Sequence, residues 1–228
     1  GGRVVDKNFE SLEFQARQLR TPENLQPGIV DRLDGGGVYR RSAIESIGYF
    51  TNKNLHSFEE YELGVRLRSA GWTLKRLPAN AVLHFGHKTE AFTLLLRRWQ
   101  SGYALGLGEL LRSSFGKPYF SMVLRELKVL RLYTAVIAWW VVLFLLIVFE
   151  SLVDYGREIA VFLAALPIVV MALKKRSLAI GFYSLVSWNV YTLGMLRGFF
   201  DQQSFPSDRI DAETVTYDGN GINKQDSK

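Results

Sequence analysis

The stretch that decides the fold is LYTAVIAWWVVLFLLIVF, residues 132–149, which contains no charged residue. At about 1.5 Å per residue, a helix of this length is long enough to cross the hydrocarbon core of a membrane. Two further uncharged runs follow it, at 159–173 and 177–196. The pattern predicts an all-α transmembrane region of two to three helices within 132–200.

The residues on either side of this region have a different composition. Residues 1–110 mix charged and apolar positions, which indicates a globular part, and residues 201–228 form a polar tail that we expect to be disordered. The chain of 228 residues has a formal net charge of +6 and no cysteine. The absence of cysteine excludes disulfides, thiolate metal sites and a cysteine nucleophile.

The segment 111–131 carries basic residues separated by Phe, Leu and Tyr. This pattern predicts a helix that lies on an anionic membrane surface, and a solvated connector helix is the alternative. Nucleic acid is not an expected partner, because the basic residues border the apolar runs and form no separate patch. The basic residues are Arg112, Lys117, Arg125, Lys128 and Arg131.

A charged helix start stands out in SFEEYELGVRLRSAGW, residues 57–72. Ser57 is typical of an N-cap and Gly71 of a C-terminal cap, which predicts a short helix between them. Neighbouring carboxylates raise each other's pKa and a helix N-terminus lowers it, so Glu60, beside Glu59 and close to Glu62, is a candidate general base. The alternative is that these acids only stabilise the helix start.

Other regular elements are predicted around this helix. The pattern indicates the end of a strand at 1–5, a helix at 8–20, a short helix from Ser42 to Gly48, strands at 72–77 and 81–85, and a helix at 88–106.

Three other groups of residues are candidate site residues. The DGGG turn places Gly35, Gly36 and Gly37 where a backbone can approach a ligand closely. His84 ends a predicted strand and His87 follows it, so either ligates a metal or is a structural histidine. On the helix 88–106, Arg97 and Arg98 suit a diphosphate and Trp99 a sugar face, with phospholipid contact as the alternative.

Taken in this order, these motifs resemble the family-two glycosyltransferases of the GT-A fold, over residues 1–105 and most specifically over 34–72. The resemblance implies the C-terminal half of an α/β, Rossmann-like catalytic domain followed by a membrane region. Glu59, Glu60, Glu62, Leu63 and Arg66 match the family's acidic pattern, which makes Glu60 the catalytic base with Glu59 beside it. Gly35 to Gly37 would line the acceptor and sugar side of the cleft, and His84 would complete a metal site.

The resemblance also implies the reaction and its partners. These are a nucleotide-diphosphate sugar donor, a lipid-linked or polysaccharide acceptor, and Mg²⁺ or Mn²⁺, whose main ligands are expected in the N-terminal nucleotide-binding half. Leu95 stands where processive members carry Gln, which favours a non-processive enzyme. Residues 1–110 contain no Asp-x-Asp, so we expect the chain to be an inactive fragment that lacks the nucleotide-binding half.

The expected location is the bacterial inner (plasma) membrane, with the catalytic part in the cytoplasm, where sugar nucleotides occur and where basic flanks are favoured. A different class of protein is a non-enzymatic membrane assembly or channel subunit with a basic cytoplasmic domain. A metal-dependent hydrolase is a third class, but it would need more His and Asp ligands than this chain supplies.

Overall fold

The computed structural model describes residues 1–7, 23–35, 37–85, 89–149, 155–206, 208, 214–218 and 221–225. The helix predicted at 8–20, the glycine at position 36 and the histidine at position 87 lie outside the described residues.

Helices make up most of the regular structure in this part of the chain. Two single turns of 3₁₀ helix cover Glu23–Leu25 and Tyr103–Leu105. The described residues form eight α-helices, which are α1 (Arg41–Ser46), α2 (Glu59–Ser69), α3 (Ala91–Gln100), α4 (Gly106–Ser114), α5 (Phe120–Glu126), α6 (Val129–Val148), α7 (Gly156–Lys175) and α8 (Leu178–Phe200). The strands are β1 (Arg3–Lys7), β2 (Gly28–Ile29), β3 (Lys75–Arg76), β4 (Asn80–Phe85), β5 (Thr214–Asp218) and β6 (Gly221–Gln225).

The predicted α/β fold class is wrong. The described strands pair only two at a time: β1 with β4 in parallel, β2 with β3 antiparallel, and β5 with β6 antiparallel. A Rossmann-like domain needs several adjacent parallel strands with helices on both faces, and the described residues contain no such sheet. The strand predicted at 72–77 shortens to the two residues of β3, whereas the strand predicted at 81–85 is present as β4.

A buried arginine, instead of a continuous sheet, connects the β1–β4 pair with the β2–β3 pair. Arg76 of β3 is only 1% exposed. Its guanidinium donates to the carbonyl oxygens of Asn24 at 2.7 Å, Gly2 at 2.5 Å and Asp34 at 3.2 Å. These three bonds join segments that are far apart in sequence, which no local pattern reveals.

Helix α2 lies between two hydrophobic clusters. Tyr61 and Val65 belong to a cluster with α4, α5 and α6, and Leu63 and Leu67 to one with α1 and the segment around Val30. Apolar residues therefore face both sides of α2, which makes it a central helix of the globular part.

Glycines allow α8 to lie directly against the segment 103–114. A Cβ added at Gly194 would meet the carbonyl oxygen of Ala104, and one at Gly198 would meet that of Leu105. Gly108 of α4 faces the carbonyl oxygen of Met195 in the same way. This spacing of small residues permits backbone contact between helices, and it fixes α8 against the globular part.

Helices α6 and α7 are long and apolar enough to cross a membrane, by their length and composition. They correspond to the apolar runs predicted at 132–149 and 159–173. Large side chains on both, such as Phe144 and Phe162, are 63% exposed, which is consistent with contact with lipid. These two helices support association with a membrane; α8, which covers the third run, is not among the described helices that pass the same test of length and composition.

The segment 111–131 is not one helix. Helix α4 ends at Ser114, Gly116 has a φ of +74°, and α5 begins at Phe120. A left-handed glycine followed by Pro118 ends a helix, so the basic residues are divided among α4, α5, α6 and the connections between them. The boundary expected at residue 110 also falls inside α4.

The tail contains a strand pair where the sequence predicts disorder. Strands β5 and β6 pair in register from Thr214↔Gln225 to Asp218↔Gly221. The sequence Thr-Val-Thr-Tyr favours a strand, and Asp218-Gly-Asn-Gly221 has the composition of a tight hairpin turn. These local preferences explain why this part of the tail is regular.

Candidate functional site

A cavity of about 380 Å³ lies beside the start of α2. Its wall includes polar and charged side chains from four separate segments and three aromatic rings. The lining residues are Val4, Leu25, Arg32, Asp34, Gly35, Ser57, Phe58, Glu60, Tyr61, His84 and Tyr103. Three sequence-predicted site residues, Gly35, Glu60 and His84, therefore lie in one cavity.

The start of α2 differs from the prediction. The N-cap residue is Phe58, with a φ of 70°, and the Ser57 hydroxyl does not cap the helix but donates to the carbonyl oxygen of Tyr103 at 2.9 Å. A positive φ is costly for a bulky residue, and it persists here because the Phe58 ring packs against the cluster around Tyr61. This conformation places the first turn of α2, with Glu60, beside the cavity.

Glu60 has a perturbed carboxyl group. Partial burial by the cavity wall raises its pKa above the ordinary value, and the charges of Glu59 and Asp34 raise it further. A hydrogen bond from the backbone at Glu60 and the charge of Arg32 act in the opposite direction. A carboxylate that is exposed to a cavity and has a raised pKa is suited to accept a proton from a bound hydroxyl group.

Glu59 lies outside the wall of the cavity. Its side chain is partly exposed, and its contribution to the site is the negative charge that it places near Glu60. This agrees with a supporting role for Glu59, since it does not reach the space where a ligand would bind.

Two charged residues of the cavity, Arg32 and Asp34, were not identified from the sequence. The Arg32 Nε donates to the two carboxylate oxygens of Asp34 at 2.9 and 3.1 Å, and Asn24 Nδ2 donates to the same carboxylate at 2.5 Å. The Arg76 guanidinium binds the backbone of Asp34. The only available signal was the position of Asp34 directly before the glycine turn.

The glycine turn contributes through Gly35. Gly35 has a φ of +69°, and a Cβ added there would lie 3.2 Å from Val4 Cγ2. Gly37 lies against the ring of Tyr39 and does not line the cavity. Gly36 lies outside the described residues, so the cavity is shown to contain one of the three predicted glycines.

Glu62 and Arg66 form a buried ion pair on the other side of α2. Arg66 donates from Nε to Glu62 Oε1 at 2.8 Å and from Nη2 to Oε2 at 2.7 Å. Tyr49 donates its hydroxyl to Glu62 at 2.7 Å, and Arg66 also donates to the carbonyl oxygens of Tyr49 and Phe50. Arg66 therefore has a structural role in this geometry, and Glu62 points away from the cavity.

His84 lines the cavity from β4, where its backbone pairs with Asp6 of β1. The proposed metal role requires further ligands close to it. Among the residues that the structure describes, no group of three His, Asp or Glu side chains is arranged to hold a metal ion. The described residues by themselves therefore do not fit a resident Mg²⁺ or Mn²⁺ site.

Arg97, Arg98 and Trp99 lie on α3, away from the cavity wall. Arg98 donates to the Tyr191 hydroxyl of α8 at 3.1 Å, and its guanidinium lies 5.2 Å from the centre of the Tyr103 ring. Arg97 donates to Thr89, and the Trp99 ring contacts Arg197. Arg98 and Trp99 join α3 to α8, whereas Arg97 bonds to the segment just before α3. Of the three, Arg98 is the one that approaches the cavity, through Tyr103.

A histidine and glutamate pair that the sequence did not indicate lies next to Ser57. The backbone N–H of His56 donates to Glu109 Oε2 at 2.9 Å, and its ring Nδ1 lies 2.7 Å from Oε1. Glu109 is nearly fully buried on α4. The pair holds the segment just before α2 against α4. The two residues are far apart in the sequence, so no local pattern indicates their contact.

Comparison with known proteins adds no identification, since no family model, curated protein or solved structure matches this chain.

Proposed function

We propose that this protein takes part in inverting glycosyl transfer at a membrane, from a nucleotide-diphosphate sugar to a lipid-linked or polysaccharide acceptor, one sugar at a time. Glu60 is the general base in this proposal. The observation that carries it is the Glu60 carboxyl group, with its raised pKa, in one cavity with Arg32, Gly35 and His84. The motif resemblance over residues 34–72 supplies the reaction class.

The proposed step is a single displacement. The acceptor hydroxyl gives its proton to Glu60 as its oxygen forms a bond to the anomeric carbon. The bond from that carbon to the diphosphate breaks on the opposite face, and the nucleoside diphosphate leaves with the bonding electrons. A raised pKa brings the Glu60 carboxyl closer to the operating pH, which improves proton transfer.

The rest of the cavity suits a sugar or acceptor of this kind. Phe58, Tyr61 and Tyr103 provide apolar ring surface, which packs against the C–H face of a sugar. Arg32, held by Asp34, provides a cation for an anionic group, although its pairing with Asp34 reduces the charge available.

The membrane part of the proposal places the cavity at the bacterial plasma membrane, on the cytoplasmic side. Helices α6 and α7 cross as a hairpin. Helix α8 contacts the globular part along its length, through Tyr183 against α3 and through Gly194 and Gly198 against Tyr103–Leu105. In this arrangement α8 lies along the membrane surface and the chain after it stays on the cavity side.

The catalytic role is tested with Glu60→Gln in the full-length protein in native membranes, supplied with a panel of radiolabelled UDP-, GDP- and dTDP-sugars. Transfer of label into lipid or polysaccharide should fall by about 10²- to 10⁴-fold, because the general base is removed while the shape of the side chain is kept. Donor binding should stay nearly intact. Glu45→Gln, on the exposed face of α1, is the matched control and should keep wild-type transfer.

Two results would count against the proposal. Wild-type transfer by the Glu60→Gln protein would remove Glu60 as the base. Failure of the wild type to transfer label from any donor would favour the membrane assembly or channel subunit instead.

The membrane arrangement is tested with single cysteines, since the chain has none of its own. A membrane-impermeant maleimide is added to sealed vesicles that contain one of three variants, each with its cysteine at an exposed position. The variants are Thr51→Cys, Gln202→Cys and Tyr155→Cys. We expect Thr51→Cys and Gln202→Cys to react from the same side and Tyr155→Cys from the other. Reaction of Gln202→Cys together with Tyr155→Cys would show that α8 crosses the membrane.

A further inference from the structure

A second cavity, of about 630 Å³, lies between the end of α4, the connection to α5 and the chain that follows α8. It shares no lining residue with the Glu60 cavity. Its lining residues are Tyr49, Arg112, Ser113, Phe115, Lys117, Gln203, Ser204, Phe205, Pro206 and Asp208.

Two cations face this cavity. Arg112 uses Nη1 to donate to the carbonyl oxygen of Phe199 at 3.0 Å, which fixes its guanidinium at the end of α8. The Lys117 side chain is exposed beside it. The carboxylate in the wall, Asp208, lies 3.6 Å from the Lys53 ammonium and accepts the backbone N–H of Phe205 at 3.1 Å. The acidic charge is therefore balanced, and the cavity has a net positive charge from Arg112 and Lys117.

The hydroxyl groups of the wall are already engaged. Ser113 donates to the carbonyl oxygen of Leu110, Ser204 donates to Asn54 Oδ1, and Tyr49 donates to Glu62. An anion that enters the cavity would therefore be bound mainly by the guanidinium and the ammonium. Phosphate is the anion for which this combination is best suited, because both groups form charge-assisted hydrogen bonds to its oxygens.

Exposed aromatic side chains border the same two cations. Phe115 is 69% exposed and Phe205 is 78% exposed, and Phe200 at the end of α8 is 75% exposed. Aromatic rings beside basic residues are typical of protein surfaces at the level of lipid headgroups. The cavity also lies just before α5 and α6, the second of which is apolar enough to cross a membrane.

We propose that this cavity binds the phosphate of an anionic phospholipid. Arg112 and Lys117 contact the phosphate, and Phe115 and Phe205 contact the glycerol and the first acyl carbons. Free phosphate offers the same anionic oxygens, but it would leave the two exposed rings without contacts. This site anchors the globular part to the membrane and does not depend on whether sugar is transferred at Glu60.

The test uses the full-length protein in dodecyl maltoside, titrated with dihexanoyl phosphatidylglycerol, dihexanoyl phosphatidylcholine or inorganic phosphate and followed by native mass spectrometry. The wild type should bind the phosphatidylglycerol more tightly than the other two ligands. Arg112→Gln with Lys117→Gln should weaken this binding by about tenfold or more, because two charge-assisted hydrogen bonds are lost. Arg40→Gln with Arg41→Gln removes the same charge elsewhere and should leave the binding unchanged.

Two further variants distinguish lipid phosphate from free phosphate and test whether weaker binding results from misfolding. Lys117→Gln alone does not disturb the bond between Arg112 and α8, and it should weaken phosphatidylglycerol binding while the melting temperature stays the same. Phe115→Ser with Phe205→Ser should weaken lipid binding and leave inorganic phosphate unaffected. Unchanged lipid binding in the Arg112 and Lys117 double variant, or inorganic phosphate binding as tightly as the lipid, would overturn the proposal.

Discussion

The cavity face and the core face of α2 show how one helix places similar residues in opposite environments. Glu60 is exposed to the cavity, with a raised pKa, whereas Glu62 is buried and bonded to Arg66 and Tyr49. Two residues along an α-helix correspond to a rotation of about 200°, so the two carboxylates face opposite sides. The comparison shows that the role of an acid in a run such as Glu-Glu-Tyr-Glu depends on what packs against each face.

The largest expected effect on stability comes from removing the buried ion pair on the core face of α2, the side that carries Glu62 and Arg66. Arg66→Leu should lower the free energy of unfolding by about 3–5 kcal/mol, because it leaves Glu62 buried without its charge partner. Chemical denaturation in detergent, followed by tryptophan fluorescence, measures the change. Arg41→Leu breaks an exposed pair with the same four-residue spacing, Arg41 with Glu45, and should cost less than about 1 kcal/mol. Equal losses in the two variants would contradict the distinction between the faces.

A smaller effect is expected where α2 meets the segment that holds Arg32 and Asp34. A Cβ added at Gly64 would meet the carbonyl oxygen of Asp31 and would lie 3.3 Å from Arg32 Cβ. Gly64→Ala should therefore destabilise the protein by about 1–3 kcal/mol and displace one wall of the cavity. Ser69→Ala, at an exposed position of the same helix, should change stability by less than about 0.5 kcal/mol. A Gly64→Ala protein with wild-type stability and activity would show that this contact does not position the cavity.

The smallest effect concerns the cavity face and depends on pH. The folded-state pKa of Glu60 is raised, so the folded protein binds the proton more tightly than the unfolded chain does. The protonated Glu60 carboxyl therefore stabilises the folded state at low pH. This contribution is lost as the pH rises from about 4.5, the ordinary pKa of the group, through the raised pKa. Glu60→Gln should therefore stabilise the protein at neutral pH, by less than about 1 kcal/mol because the carboxyl is exposed, and the gain should disappear in acid.

The measurement for this last effect is the melting temperature of wild type and Glu60→Gln between pH 4 and pH 8. Glu45→Gln is the control, since Glu45 lies on the exposed face of α1. A Glu60→Gln protein that is less stable than wild type at neutral pH would show that the carboxylate stabilises the fold, which would reverse the assignment of the cavity face.

Several elements of the site follow from local patterns. Strand β4 and helix α2 form where the sequence predicts them, and the structure brings Gly35, Glu60 and His84 to one cavity. Their catalytic and binding roles stay predictions. Arg97 and Trp99 are amphipathic residues on a predicted helix, but the helix turns them toward Thr89 and Arg197 and away from the cavity.

The sequence by itself determined that α6 and α7 are apolar helices and that α2 begins with acids, because runs of uncharged residues and helix-end signals act over a few positions. Only the tertiary structure decided that the strands pair in twos, that Arg76 connects Gly2, Asn24 and Asp34, and that α8 packs through glycines on Tyr103–Leu105. These contacts join residues far apart in the chain, and the free energy of such contacts depends on the packed geometry, which no local pattern contains.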